Sequence, residues 1–451
     1  DWQFVARRPG AGAERSAADY VSEGQRYQLY VPPNYRPAKA WPLVVFVSPG
    51  DDPLGWRCWQ RTCEAHDVLF CAAYGAGNRC PPGRRARIVL DVLDDVRRRC
   101  RIDPEQTYLC GLGGGARLAC DVAFALPEYV GGVVPVCGGG PLHALPYLRH
   151  RVEGRLSVAW VTGADDFNRR QVEDYCFPLL AELGVRSRLW VVPGVGHALP
   201  PPAVVDEVYT WLKDDLARRQ ADAKGRPGLA AVPDDVPTDG RRAEGALASA
   251  QADLTRPARL GRGAALLRGI AARWEKTEAA DRARALLAEI QADPERRQRL
   301  AEQESAERRR DLTARAKALE SSGQERAALA KWEELTKAQP GAPAGAKAAA
   351  EAKRLRAALA ARPYLGVGLE GEGAGVSAVA AGGPAARAGL RPGDRLLKVG
   401  AEPVGSLADL RRALGARKPG DRLALEVQRD GKVLPLTVEV GSALDETQAR
   451  R

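Results

Sequence analysis

The chain has 451 residues, of which 45% are hydrophobic and 28% charged, a composition typical of globular domains. One hydrophobic core rarely extends over so long a chain, so two to four domains are expected. The net charge of +11 predicts solvated helix faces rather than a nucleic-acid site, because arginines mix with acidic residues in segments such as 91–99 and no nucleic-acid-binding motif is present. No apolar run is long enough to span a membrane.

Strand-like and helix-like segments alternate over residues 1–218. The alternating segment 27–31 ends at two prolines and reads as an edge strand, and the apolar run 43–47 is typical of a strand buried on both faces. Ile88, Leu93 and Val96 lie on the apolar face of a helix. The pattern predicts an α/β domain with a mostly parallel sheet covered by helices. Further strands are predicted at 68–71, 107–110, 132–136, 156–161 and 189–192.

The remainder of the chain divides by composition. Proline and glycine mark residues 219–243 as a linker, and strong helix formers fill residues 244–361. Residues 312–339 resemble a single tetratricopeptide-type helix hairpin, with a plain helical spacer as the alternative. Short strands and glycine turns predict a small separate domain at 362–441, followed by a flexible tail at 442–451.

A strand-like segment runs into Gly-Leu-Gly-Gly-Gly at 111–115 and then into a helix pattern. A nucleophile elbow has the frame Gly-x-Ser-x-Gly, in which the sharp turn exposes the serine hydroxyl. Here the central position is Gly113, which has no group that could attack. The segment therefore predicts the setting for acyl-transfer chemistry without the nucleophile.

Two later loops carry an acid and a histidine in the expected order. Asp166 follows the strand 156–161, with Asp165 as the second choice, and His197 follows the last strand of the domain. In an active enzyme the acid orients the histidine and stabilises its charged form. We expect Asp166 and His197 to hydrogen-bond near Gly113.

These motifs, together with Tyr-Val-Pro-Pro-Asn-Tyr at 30–35, resemble the α/β-hydrolase superfamily over residues 20–216. The nearest members are secreted esterases of the feruloyl-esterase and polyhydroxyalkanoate-depolymerase type. The resemblance implies an esterase cleft, but the oxyanion loop at 48–52 departs from the family's His-Gly: Pro49 has no N–H to donate. Ser48 and Cys110 are the alternative nucleophiles.

The segment 362–441 resembles a PDZ domain of the bacterial high-temperature-requirement protease type. The resemblance rests on Tyr-Leu-Gly-Val at 364–367 and on Gly-Pro-Ala-Ala-Arg-Ala-Gly-Leu-Arg-Pro-Gly-Asp at 383–394. Such a domain accepts a peptide as an added strand and holds its C-terminal carboxylate on loop N–H groups. The resemblance assigns peptide binding to Tyr364, Leu365, Gly366, Val367, Leu407, Leu410 and Leu414.

The sequence indicates no cofactor. All nine cysteines lie between 58 and 176, and no Cys-x-x-Cys pair is present, so a zinc site is not expected. Cys58 with Cys63, or Cys71 with Cys80, could form disulfides in an oxidising compartment. We expect an exported protein, periplasmic or extracellular, although no signal peptide is visible and a cytoplasmic location stays open.

These observations favour a multidomain protein in which a pseudo-esterase is joined to a peptide-binding PDZ domain and acts in binding or scaffolding. The alternative is an active esterase or peptidase with a non-standard nucleophile. A third hypothesis is a cleft that binds an ester or carbohydrate ligand without hydrolysing it. No nucleic-acid partner is expected.

Overall fold

The structure, a computed structural model, describes residue 5 and residues 20–224, 239–370 and 373–445. The chain divides into two compact units, the first ending at Ser322 and the second beginning at Gly323. In the described ranges, the first unit holds an α/β domain and four further helices. The second unit holds two helices and a small β-rich domain.

The described strands of the first unit form one sheet in the order β1-β3-β2-β4-β5-β6-β7. Strand β1 pairs antiparallel with β3 at the edge, and the other neighbours pair in parallel. The mostly parallel sheet predicted from the sequence is confirmed. The strands are β1 Tyr27–Tyr30, β2 Trp41–Val47, β3 Leu69–Ala73, β4 Ile102–Leu112, β5 Gly132–Val136, β6 Ser157–Gly163 and β7 Arg186–Val192.

Helices cover both faces of this sheet because its central strands are apolar on both sides. Leu43 and Val45 of β2 join a core with α2 and α3, whereas Val44 and Phe46 join a second core with α1 and α6. The helices are α1 Trp56–His66, α2 Pro82–Arg99, α3 Gly114–Ala125, α4 Pro146–Val152, α5 Phe177–Glu182, α6 Pro202–Lys224, α7 Asp239–Leu254, α8 Leu260–Arg273, α9 Glu278–Ala292 and α10 Pro294–Ser321.

Helices α7 to α10 pack within the first unit and do not form an extended spacer. Helix α8 lies against α4, where the Tyr147 ring comes so close to Gly269 that a Cβ there would lie 1.8 Å from it. Ala314 and Ala318 of α10 belong to the core of the α/β domain. Composition predicted helices here, but it did not show that small residues on their faces allow close packing on the domain.

The second unit begins with helices α11 Glu325–Ala338 and α12 Pro343–Ala361, which pack against each other. Ala328, Trp332 and Leu335 are buried on one face of α11, as the spacing predicted. The predicted hairpin at 312–339 is not confirmed as a repeat, because the boundary between the two units falls inside it.

The β-rich domain has a four-stranded antiparallel sheet, β12-β11-β13-β14, and two strand pairs, β10-β9 and β15-β8. Its core includes Leu365, Val376, Leu410 and Val427. Its elements are β8 Pro363–Tyr364, β9 Val367–Leu369, β10 Val376–Val379, α13 Pro384–Arg387, β11 Arg395–Val399, β12 Glu402–Pro403, α14 Leu407–Gly415, β13 Arg422–Arg429, β14 Lys432–Glu439 and β15 Gly441–Ser442.

The structure shortens two predicted irregular segments. Helix α6 extends to Lys224 and α7 begins at Asp239, so residues 219–224 and 239–243 of the predicted linker are helical. Residues 225–238 lie outside the described residues. In the predicted tail, Ser442 pairs with Pro363 and its hydroxyl donates to the Leu359 carbonyl over 3.2 Å; residues 446–451 lie outside the described part.

All nine cysteines are free thiols, so neither disulfide left open by the sequence is formed. None of the described helices is long and apolar enough to cross a bilayer.

We expect the Glu307→Ala substitution to destabilise the first unit by about 3 kcal/mol, because it leaves a buried guanidinium without its carboxylate. Glu307 of α10 lies 2.6 Å from Arg149 of α4, whose side chain is 7% exposed. Denaturation in urea measures the loss. The matched control is Glu304→Ala, whose exposed pair with Arg268 contributes less than about 1 kcal/mol. Equal losses of unfolding free energy in the two variants would show that the buried pair contributes no more stability than the exposed one.

We also expect the first unit to lose stability in acid through Glu128. Burial would raise the pKa of Glu128, but Arg151 and Arg273 outweigh it and hold the pKa at about 2, below its ordinary value of 4.5. A depressed pKa stabilises the fold above the ordinary value, and this stability is lost as pH falls toward 2, an effect of about 3 kcal/mol. The unfolding free energy of Glu128→Gln should therefore fall less steeply below about pH 4.5 than that of wild type. If the unfolding free energies of the two proteins fall equally steeply with pH, the acid effect does not come from Glu128.

Candidate functional site

A sharp turn at Gly113 joins β4 to α3. Gly113 has φ 55° and ψ −113°, and α3 begins at the next residue. The flanking glycines allow helix and sheet to approach: a Cβ at Gly115 would lie 2.0 Å from the Val47 carbonyl oxygen, and one at Gly111 would lie 2.5 Å from the Gly115 backbone. The turn has the strand-to-helix geometry that an elbow requires.

The structure brings the predicted acid and histidine together at this turn. Asp166 follows β6 and His197 follows β7, and the Asp166 Oδ1 and His197 Nδ1 atoms lie 2.8 Å apart. Parallel strands end at the same edge of the sheet, which places both loops beside Gly113. Asp165, the second choice, is not the partner of the histidine in this bond.

The other ring nitrogen of His197 faces the position of the missing side chain. A Cβ built on Gly113 would lie 2.8 Å from His197 Nε2 and 3.3 Å from Cε1. A hydroxyl on such a side chain would thus meet a base oriented by a carboxylate, the arrangement that activates a serine. Because residue 113 is glycine, the base has no hydroxyl or thiol to deprotonate there.

Asp166 is held as a carboxylate by its surroundings. Burial would raise its pKa, but the Asn168 backbone N–H, His197 and the Thr162 hydroxyl together hold the pKa below its ordinary value. The Thr162 hydroxyl donates to Oδ2 over 2.9 Å, and the Asn168 N–H donates to Oδ1 over 3.0 Å. Sequence reasoning missed both partners, although Thr162 near the end of β6 and Asn168 in the loop after it lie close to the predicted acid in the chain.

The two alternative nucleophiles are buried. The side chain of Ser48 is engaged, since its hydroxyl accepts the Leu54 N–H over 3.0 Å, and the residue is only 2% exposed. Its carbonyl accepts a bond of 2.8 Å from Arg85. Cys110 is fully buried, and this burial raises the pKa of its thiol well above the ordinary value. Neither group is presented as an elbow presents its nucleophile.

Two further side chains at this site were not singled out by the sequence. Phe167 is 78% exposed and stacks on the His197 ring, with ring centroids 4.3 Å apart. Cys137 follows β5 and is buried, and burial raises the pKa of its thiol to about 11. Its sulfur lies 3.4 Å from the Ala198 carbonyl oxygen, beside the histidine.

In the β-rich domain, two backbone carbonyls of the loop at 364–367 accept hydrogen bonds from the domain itself. The Leu365 carbonyl accepts from Ala385 N–H over 2.9 Å, and the Gly366 carbonyl accepts from Ala380 N–H over 2.8 Å. A trans peptide group points its N–H opposite to its C=O, so the N–H groups of Gly366 and Val367 face the other way. Gly366 has φ 79°, which allows this turn. Two adjacent donors of this kind suit a carboxylate.

Strand β9 and helix α14 carry the other predicted peptide-binding residues. In the described residues β9 pairs with β10 alone, so its second edge is open to an added strand. Leu407 is 37% exposed and Leu414 is half-buried. Leu410, by contrast, is 4% exposed inside the core, and Leu365 is 3% exposed there. The helical spacing predicted that Leu407, Leu410 and Leu414 share one face of the helix, but it did not show which of them lies in the core and which is exposed.

Comparison with known proteins supports the C-terminal assignment. The family described as PDZ domain matches residues 363–440. A "Probable periplasmic serine endoprotease DegP-like" of Pseudomonas savastanoi pv. phaseolicola is 46% identical over 76 residues, which are 17% of this chain and 16% of that protein. One of the same description from Pseudomonas fulva is 43% identical over 70 residues, 16% and 15% of the two chains. The chain thus matches about one sixth of the length of these relatives.

Solved structures match each end of the chain. A thermostable esterase has a TM-score of 0.33 and 19% identity, covering 42% of this chain and 58% of its own. Est1E from Butyrivibrio proteoclasticus has a TM-score of 0.33 and 15% identity, covering 42% and 94%. The HtrA-type protease AlgW with a decapeptide has a TM-score of 0.17 and 30% identity, covering 18% and 30%. The chain carries a C-terminal PDZ domain similar to those of DegP-type proteases, and its N-terminal region matches esterase structures.

Proposed function

We propose that the N-terminal domain is a catalytically degenerate esterase-like domain and that the chain acts as a binding or scaffolding protein through its PDZ domain. One observation carries the first part. The His197 and Asp166 side chains keep their bond of 2.8 Å at the elbow, while residue 113 offers them no nucleophilic atom. Loss of a catalytic serine lowers turnover by about a million-fold in a comparable triad.

The oxyanion side of the cleft supports the same conclusion. Pro49 cannot donate a hydrogen bond. The Asp51 carboxylate of the same loop accepts the N–H of Gly77, which lies in the segment after β3, over 3.2 Å. An acyl-transfer site needs free N–H groups directed at the developing oxyanion. The loop therefore contributes little to transition-state stabilisation.

The peptide-binding part of the proposal rests on the loop at 364–367 and the open edge of β9. The Leu365 and Gly366 carbonyls accept from the Ala385 and Ala380 N–H groups, so the N–H groups of Gly366 and Val367 point the opposite way. A peptide C-terminus placed there would extend the sheet beyond β9, and Leu407 and Leu414 would contact its last side chain. The partners proposed are protein C-termini with an apolar last residue.

The remaining cleft retains an aromatic surface. The exposed Phe167 ring over His197 offers a flat face on which a sugar or aromatic ester could stack. We propose an ester or carbohydrate as the ligand class of this cleft. We also propose that the protein is exported, since the relatives of its PDZ domain are described as periplasmic.

Wild-type protein should hydrolyse short acyl esters no faster than His197→Ala, and Gly113→Ser should restore weak turnover and labelling by a fluorophosphonate probe. The new Cβ requires His197 to shift by a few tenths of an ångström, and the positive φ disfavours serine by about 1–2 kcal/mol, so activity stays low. We expect at least a tenfold gain over wild type in ester turnover.

The matched control is Gly113→Ala, which introduces the same backbone strain without a hydroxyl and should remain inactive. The double variant Gly113→Ser with His197→Ala should lose the restored activity. Strong wild-type turnover that disappears on mutating Ser48 or Cys110 would instead support the active-enzyme hypothesis.

The full chain should bind peptides with apolar C-termini at micromolar affinity when the terminus is a free acid, and at least tenfold more weakly when it is an amide. A charged acceptor on two N–H groups contributes about 1.5–3 kcal/mol, which the amide loses. Fluorescence anisotropy with labelled peptides measures both affinities.

Leu407→Ala should weaken binding several-fold, because it removes an exposed groove residue. Val433→Ala, a comparable exposed side chain on β14, is the control and should bind as wild type does. Equal binding of acid and amide would show that the loop is not a carboxylate receptor.

A further inference from the structure

Three metal-ligating side chains converge beneath the cleft. One ligand atom each from Cys137, Asp166 and His197 lie within 4.8 Å of one another. The residues follow β5, β6 and β7, three successive parallel strands, so the carboxyl edge of the sheet collects them. They are about thirty residues apart in the chain, and no local spacing motif signals them.

We propose that the Cys137 thiolate, the Asp166 carboxylate and the His197 imidazole bind one Zn²⁺ ion. Sulfur, nitrogen and oxygen ligands of these types are the ones that zinc prefers, and three protein ligands leave a fourth position for water. One thiolate and one carboxylate balance the charge of the ion, so the buried site would be neutral. The thiol proton leaves to solvent when the sulfur coordinates, and the imidazole proton that Nδ1 donates to Asp166 moves to Nε2, so that Nδ1 can coordinate. The proposal goes beyond the proposed function, which requires no metal.

The orientation of the histidine decides which nitrogen would coordinate. Nε2 faces the Gly113 position, and Nδ1 faces Asp166 at 2.8 Å. The ion would therefore take Nδ1. Two ligands at about 2.0 Å in a tetrahedral arrangement stand about 3.3 Å apart, so this gap must open by about half an ångström. The His197 side chain is 26% exposed, and its ring can shift by that amount.

The backbone of Cys137 is held in an unusual conformation that fixes its side chain at this place. Its φ of 51° is one of three positive values at non-glycine residues in the described chain, and the other two are the aspartates Asp67 and Asp430, a type that tolerates this region. The Cys137 N–H donates to the Val161 carbonyl over 2.8 Å, and its carbonyl accepts from the Asn168 side chain over 3.1 Å. A strained residue held so firmly is typical of a functional site.

The carboxylate ligand is also oriented by neighbours. Thr162 donates to Asp166 Oδ2, and the Asn168 N–H donates to Oδ1. Asn168 thus connects two of the ligands, since its side chain bonds Cys137 and its backbone bonds Asp166. Outer hydrogen bonds of this kind fix the positions of ligands in metal sites.

The test is a titration of the reduced, metal-free full chain with Co²⁺, followed by competition with Zn²⁺. We expect one equivalent of Co²⁺ to produce a thiolate-to-cobalt charge-transfer band in the near ultraviolet, and Zn²⁺ to displace it. Equilibrium dialysis with Zn²⁺ alone should give the same stoichiometry. Failure to bind either ion at micromolar concentration overturns the proposal.

Variants assign the ligands. Cys137→Ser should lose the charge-transfer band, and His197→Ala should weaken Zn²⁺ binding by more than about a hundredfold, because loss of a direct ligand costs more than the ten- to hundredfold cost of losing an outer-shell partner. Cys80→Ser, which removes a half-buried thiol outside the site, is the matched control and should bind as wild type does. His197 is partly exposed, so its variant tests the site even where Cys137→Ser does not fold. Wild-type Co²⁺ spectra in His197→Ala, or in a folded Cys137→Ser, would place the metal elsewhere and refute the site.

Discussion

The parallel pairing of the central strands is the constraint on which the N-terminal site depends. Parallel strands all end at one edge, and the register fixes which residues meet there. Val47 pairs with Gly111, and Val136 pairs with both Leu112 and Val161. The loops that follow these strands are therefore neighbours in space although they are distant in the chain. An acid, a histidine, a thiol and a glycine turn are placed together by this register alone.

The glycines of the elbow show how the turn keeps its geometry with no side chain at residue 113. The turn needs Gly115 because α3 begins against the Val47 carbonyl, and it needs a positive φ at residue 113. Neither requirement involves a nucleophile. Asp166 and His197 likewise form their hydrogen bond with each other without any contribution from residue 113. The contacts that build the site therefore do not require a side chain at residue 113.

Buried ion pairs connect the α/β domain to the helices that follow it in the chain. Arg273 of α8 and Arg151 of α4 share the Glu128 carboxylate, and Glu307 of α10 binds Arg149. Removing one partner of such a pair leaves a buried charge without its counterion, so these pairs hold α8 and α10 in place on the α/β domain. The many arginines could by composition suggest a polyanion partner, but some of them form these ion pairs inside the first unit.

The sequence by itself determined the elements and their order. Apolar runs predicted the strands, glycines predicted the turn at residue 113, and the motifs at 364–367 and 383–394 predicted the PDZ domain, because each depends on residues close together in the chain. Tertiary structure decided what depends on long-range packing. It placed Leu410 in the core rather than the groove, and it packed α7 to α10 within the first unit. It also brought Cys137 beside Asp166 and His197, since only the register of three strands makes residues thirty positions apart neighbours.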